Sequence, residues 1–121
     1  MPGFRVVELD AASLRTADLA VSAADYTSFH ELLSAGVPTV FVPDPAAADD
    51  QLARARFAAA AGVALHAETI ADLDAVLARA ARPEVRAALA RRCAEVAFDN
   101  GAAAAADWIA ARCPAPAEAT R

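Results

Sequence analysis

Lysine is absent from this chain: all 11 basic residues are arginine, set against 16 aspartates and glutamates for a net charge of -5. With no basic run or patch, the electrostatic footprint that a phosphate backbone demands is missing, and nucleic acid is not an expected partner. Cysteine is scarce as well. Cys93 and Cys113 form no CxxC and no His/Cys cluster at metal-ligand spacing, so no metal is expected and reduced thiols in a cytoplasmic protein are. No signal-peptide pattern opens the chain, and no apolar run approaches the ~18 residues of a membrane span. Glycine occurs only 4 times, in neither a GxGxxG nor a GxxxxGK arrangement, which excludes the standard nucleotide fingerprints. Internal repeats and coiled-coil heptads are absent too.

What the chain has in abundance is alanine, 38 of 121 residues. Hydrophobic residues make up 58% and charged residues 22%, too apolar a balance for disorder. Alanine supports helix but buries little area, so a thin core is expected. The length suits one domain, taken as residues 1–113, with 114–121 (PAPAEATR) as a frayed tail.

Short β-rich runs alternate with helical ones. Residues 4–9 (FRVVEL), 18–22 (DLAVS), 39–42 (TVFV) and 63–67 (VALHA) read as strands. Helical signals cover a turn at 12–16, then 28–35, where Phe29, Leu32 and Leu33 form one face, and 51–61. Further helices are expected over 70–80, with Ile70, Leu73, Val76 and Leu77 on one face, from Pro83 to about Phe98, and over 102–112. Gly36 and Gly62 stand where helices end. The expected class is α/β: a Rossmann-like parallel sheet of about four strands flanked by helices.

In such a sheet, ligands collect beyond the carboxyl ends of the strands, where helix N-termini point unpaired N–H groups. Two loops qualify. After the strand ending at Ser22, the amides of Tyr26, Thr27 and Ser28 would face the crevice and hold an anion such as a diphosphate, with Glu31 reaching sugar hydroxyls. After the strand ending at Val42, the loop to Asp49, Asp50 and Gln51 places a carboxylate and an amide suited to a polyol. A purely structural account also fits: Ser28 and Glu31 match the capping-box spacing, Asp49 or Asp50 would cap the following helix, and Gln51 would be solvated. His30 reads as structural, Trp108 as a core or interface anchor, and Arg91 with Arg92 as a solvated helix face.

The run ADLAVSAADYTSFHELLSAGVPTVFVPDPAAADDQLARARFAAAAG, residues 17–62, resembles the donor-binding lobe of GT-B glycosyltransferases, specifically the MurG-like family 28 C-terminal domain. The shared pattern is ADxxxS, a small-residue turn, [ST]xxE, GxPxxxVP and DDQ before a helix. The resemblance implies that Tyr26, Thr27 and Ser28 hold a nucleotide diphosphate, that Glu31 binds the ribose, and that Asp50 and Gln51 contact the donor sugar. It implies hexosyl transfer from a nucleotide-diphosphate sugar, UDP-linked by the family pattern, with no further cofactor and no metal. Asp25 stands where relatives commonly carry glycine. Because a GT-B reaction uses two lobes, turnover is expected only with a complementary acceptor-lobe subunit, and the sheet edge admits a homodimer or such a partner. The competing reading is an inactive lobe acting as an interaction or scaffold module; a fragment of a related sugar-nucleotide epimerase is the third.

Overall fold

The structure, a computed structural model, describes residues 3–8, 10–96 and 101–113. The elements are α1 (Ala11–Thr16), β1 (Ala20–Ser22), α2 (Tyr26–Ser34), β2 (Thr39–Phe41), α3 (Gln51–Ala60) and β3 (Leu65–His66). A 3-10 turn (Ile70–Asp72) then leads into α4 (Leu73–Ala80), α5 (Pro83–Val96) and α6 (Ala102–Ala110). The class is α/β, as expected from the alternation. The tail read at 114–121, and Phe98, lie outside the described residues.

The sheet holds three strands in the order β1-β2-β3, all parallel, with Ala20 opposite Thr39, Val40 opposite Leu65 and Phe41 opposite His66. A parallel pair requires a crossover, and α2 and α3 supply the two. Both lie on one face of the sheet, where Phe29, Leu32 and Leu33 of α2 and Ala55 and Ala58 of α3 pack with Ala20 and Phe41. The other face buries Val40 and Leu65 under Leu77 and Ala80 of α4 and Leu89 of α5. Because side chains alternate along a strand, Val40 and Phe41 serve opposite layers, and both are fully buried. Small alanines on the crossover helices let the backbones approach a sheet only a few residues long.

Two glycines stop the crossover helices by the same device. Gly36 and Gly62 have φ of 69° and 74°, a region that costs a residue with a Cβ. After α2, Gly36 N–H donates to Leu33 and Val37 N–H to Leu32; after α3, Gly62 N–H donates to Ala59 and Val63 N–H to Ala58. These are the paired bonds of a Schellman motif, and the buried Val37 and Val63 provide its apolar contact. Thr39, buried at the start of β2, satisfies its hydroxyl on the Val37 carbonyl at 2.8 Å.

Three expectations are corrected. The run 4–8 is exposed and forms no strand; Leu9 lies outside the described residues. The Glu8 carbonyl accepts from the Ser13 hydroxyl at 2.8 Å, and a reciprocal box between Asp10 and Ser13 turns the chain into α1. Local β propensity at Val6 and Val7 therefore finds no ladder, and among the described residues no strand pairs with the outer edge of β1. The helix read over 70–80 begins as a 3-10 turn, because the Thr69 amide and hydroxyl both donate to the Asp72 carboxylate, leaving Ile70 74% exposed. Trp108 anchors no core: every described residue of α6 is exposed, and the Arg112 guanidinium lies 4.0 Å over its ring.

The cysteines are free, Cys93 buried and Cys113 exposed. Burial pushes the Cys93 thiol up from its ordinary range, and its Sγ contacts the Val63 carbonyl at 3.4 Å.

Leu32 is fully buried between α2 and the sheet. Leu32→Ala is expected to cost about 2–5 kcal/mol of stability, read as a drop in the urea midpoint with an unchanged slope.

Candidate functional site

The loops that follow β1, β2 and β3 open toward one end of the sheet and border a cavity of about 540 Å³, a size that suits a small ligand. Its floor is apolar, from Val21, Val42 and Pro43; Ser22, Asp44 and Glu68 bring polar groups to it. This is the crevice that a parallel sheet places beyond its strand ends. None of Tyr26, Thr27, Ser28, Glu31, Asp50 or Gln51 lines it. Tyr26, Thr27 and Ser28 stand instead on the first turn of α2, Glu31 further along that helix, and Asp50 and Gln51 at the start of α3.

The start of α2 differs from the expected one. Asp25, not Ser28, is the N-cap: its backbone is extended, and its carboxylate accepts the Ser28 amide at 3.1 Å. Ser28 is thus the third helical residue, and Glu31 lies on the second turn rather than in a capping box with Ser28. Aspartate is a strong cap, and beginning at Tyr26 adds a bonded turn, closed by Phe29 N–H on the Asp25 carbonyl at 2.9 Å, without moving the apolar face. The Ser28 amide holds the Asp25 carboxyl below its ordinary value of 3.8. The charge of Asp25 therefore occupies one of the amides that the sequence assigned to a diphosphate.

Tyr26 is 68% exposed, with its ring 4.5 Å from that of His30; His30, an exposed residue, also meets Phe29 edge-on. Thr27 and Glu31 are exposed. Among the described residues no side-chain hydrogen bond engages the Glu31 carboxylate.

At the start of α3, Asp50 caps the helix through the Ala53 amide at 3.0 Å. Gln51 is buried, not solvated, at 7% exposure. Its Oε1 accepts the Asp44 amide at 2.9 Å and its Nε2 donates to Asp49 Oδ1 at 3.3 Å. It folds the loop after β2 back on itself. Ser28 and Glu31 on one helix and Gln51 on the other share no hydrogen bond among the described residues.

Sequence reasoning missed Arg54. It donates to the Ala24 carbonyl at 2.7 Å and pairs with the Asp49 carboxylate. Its partner Ala24 lies 30 positions away in the chain, beyond any local spacing rule. Further round the cavity, Glu68 pairs with Arg56 and lies 3.4 Å from His66 Nε2, a buried atom that makes no hydrogen bond among the described residues. Arg91 and Arg92 are exposed, as read, though Arg92 also donates to the Ala61 carbonyl. No group of three or more His, Cys, Asp or Glu side chains among the described residues is placed to hold a metal ion.

The profile of the glycosyltransferase family 28 C-terminal domain matches residues 4–106. The UDP-N-acetylglucosamine–N-acetylmuramyl-(pentapeptide) pyrophosphoryl-undecaprenol N-acetylglucosamine transferase of Cellvibrio japonicus (strain Ueda107) is 38% identical over 108 residues, 84% of this chain and 30% of that protein. Among solved structures, the glycotransferase of kitacinnamycin superposes with a TM-score of 0.62 at 31% identity, over 85% of this chain and 27% of the other. The chain spans less than a third of the length of either relative.

The Asp25 cap generates a pH prediction. Its folded pKa lies below the ordinary 3.8, so its stabilising contribution is complete above the unfolded pKa and is lost as pH falls through the folded one. Asp25→Asn should flatten the stability profile between about pH 4 and pH 2 relative to wild type, measured by thermal unfolding across that range.

Proposed function

This chain belongs to the glycosyltransferase family 28 C-terminal domain family, and we propose that it is the nucleotide-sugar-binding part of a hexosyltransferase, using a UDP-linked donor and completed by a complementary lobe. The observation that carries the reading is the convergence, at one end of the sheet, of the 540 Å³ crevice with the amino ends of α2 and α3. The N-acetylglucosamine transferase of Cellvibrio japonicus supports a UDP-linked donor.

In this reading the Tyr26, Thr27 and Ser28 amides receive the diphosphate, and the carboxylate of Glu31 accepts hydrogen bonds from the ribose hydroxyls. Asp50 and Gln51 meet the donor sugar. As the glycosidic bond breaks, negative charge gathers on the leaving diphosphate, and fixed amides at a helix start stabilise it without having to reorganise. Asp25 opposes this. Its carboxylate must leave the Ser28 amide before a phosphate takes its place, and the two like charges repel by about 1 kcal/mol in a well-solvated setting.

Calorimetric titration with UDP and with UDP-N-acetylglucosamine tests the reading. Binding is expected with both, and Glu31→Ala should weaken it about tenfold or more, the effect of losing hydrogen bonds to a charged group. Asp25→Gly should tighten UDP roughly fivefold, by removing the competing charge. No heat from wild type or from Asp25→Gly with either ligand would defeat the proposal.

The self-capped α2 start, together with exposed Val6, Val7, Val21, Trp108 and Ile109, favours a second reading, an inactive lobe serving as an interaction module. Sedimentation decides it. The module reading expects self-association that Trp108→Ala reduces; monomers for both proteins remove it.

A further inference from the structure

The two loops that bound the crevice belong to different crossovers, and a ligand lying across both helix starts depends on their separation. Resting on the donor-binding reading, we propose that Arg54 is the positioning residue that sets this separation. It acts as a cross-brace between the turn after β1 and the loop after β2.

Arg54 sits on the first turn of α3 with its side chain 23% exposed. Its Nε donates to the carbonyl of Ala24 at 2.7 Å. Ala24 is fully buried and immediately precedes the Asp25 cap, so the bond satisfies a sequestered acceptor and fixes the residue from which α2 departs. In the other direction, a terminal nitrogen of the same guanidinium pairs with Asp49. Asp49 in turn accepts from Gln51 Nε2, and Gln51 Oε1 holds the Asp44 amide. The result is one continuous chain of polar contacts, Ala24 to Arg54 to Asp49 to Gln51 to Asp44, from the start of one loop to the start of the other. Beyond the β1–β2 ladder, which ends with Val42 N–H on the Ser22 carbonyl, no other hydrogen bond among the described residues joins the two loops.

The role calls for arginine specifically. A planar guanidinium points its Nε–H and its terminal N–H groups in fixed, different directions, so one side chain serves a carbonyl on one loop and a carboxylate on the other. A lysine ammonium is a single point on a flexible stem and cannot hold both partners in the same geometry. The pairing with Asp49 alone, at a half-exposed carboxylate, would contribute little. The buried carbonyl at the far end makes the brace directional.

Native-state hydrogen exchange on the full chain, combined with UDP titration, tests the brace with Arg54→Gln, Arg54→Lys and Asp49→Asn. Arg54→Gln should raise exchange about tenfold in both loops, residues 23–28 and 44–50, while the ladder amides of Val40 and Phe41 keep wild-type protection. Asp49→Asn cuts one arm and should loosen 44–50 alone. Arg54→Lys, which keeps the charge and most of the stem, should restore folding stability without restoring protection of both loops. UDP affinity should fall with Arg54→Gln and stay low with Arg54→Lys. Unchanged exchange at 23–28 in Arg54→Gln, or full recovery of both loops by lysine, overturns the brace. If neither wild type nor Asp25→Gly takes up UDP or UDP-N-acetylglucosamine, the donor-binding reading is lost, and the exchange pattern alone decides whether Arg54 couples the loops.

Discussion

Parallel strands offer the chain no hairpin route home, so each step from β1 to β2 to β3 has to climb over the sheet as a helix and return. Most of the structure follows from that requirement. The crossovers α2 and α3 cover one face with Phe29, Leu32 and Leu33 against Phe41, and α4 and α5 close the other over Val40 and Leu65. Since every strand runs the same way, all three strand ends and the amino ends of both crossover helices meet at one end of the sheet. The crevice is thus a by-product of the ladder.

What that end does chemically is governed by how the helix starts are satisfied. Orphan amides at a helix start need acceptors, from the protein or from a ligand. Here the chain supplies its own: Asp25 serves α2 and Asp50 serves α3, while Gln51 and Arg54 tie the neighbouring loops together. These groups lend order to a sheet of short strands, and in the proposed reading Asp25 also sets a threshold that an anionic ligand must overcome. The Glu31 carboxylate, which no side-chain hydrogen bond engages among the described residues, and the occupied Ser28 amide lie on the same helix; in the proposed reading, affinity for a nucleotide rests on which acceptor prevails at the first turn.

The elements themselves were largely legible. Apolar spacing at Phe29, Leu32 and Leu33, the stops at Gly36 and Gly62, and the branched run after Pro38 carry local physics that holds in any context, and the structure keeps all of them. The pattern over residues 17–62 pointed to the family whose profile matches residues 4–106. The misreadings fall where two local solutions compete. Val6 and Val7 favour a strand, yet the Asp10 and Ser13 box claims the chain for α1; Ser28 and Glu31 fit a capping box, yet Asp25 caps first.

Composition and spacing by themselves determined the α/β class and the order of its elements, because periodicity, glycine stops and branched runs act over a few residues. Tertiary structure alone decided that residues 4–8 stay out of the sheet, that Gln51 turns inward, and that Arg54 reaches Ala24 across 30 positions of chain. Those outcomes turn on which buried acceptor lies within reach of which donor. That is a property of distances between loops, and no spacing along the chain encodes it.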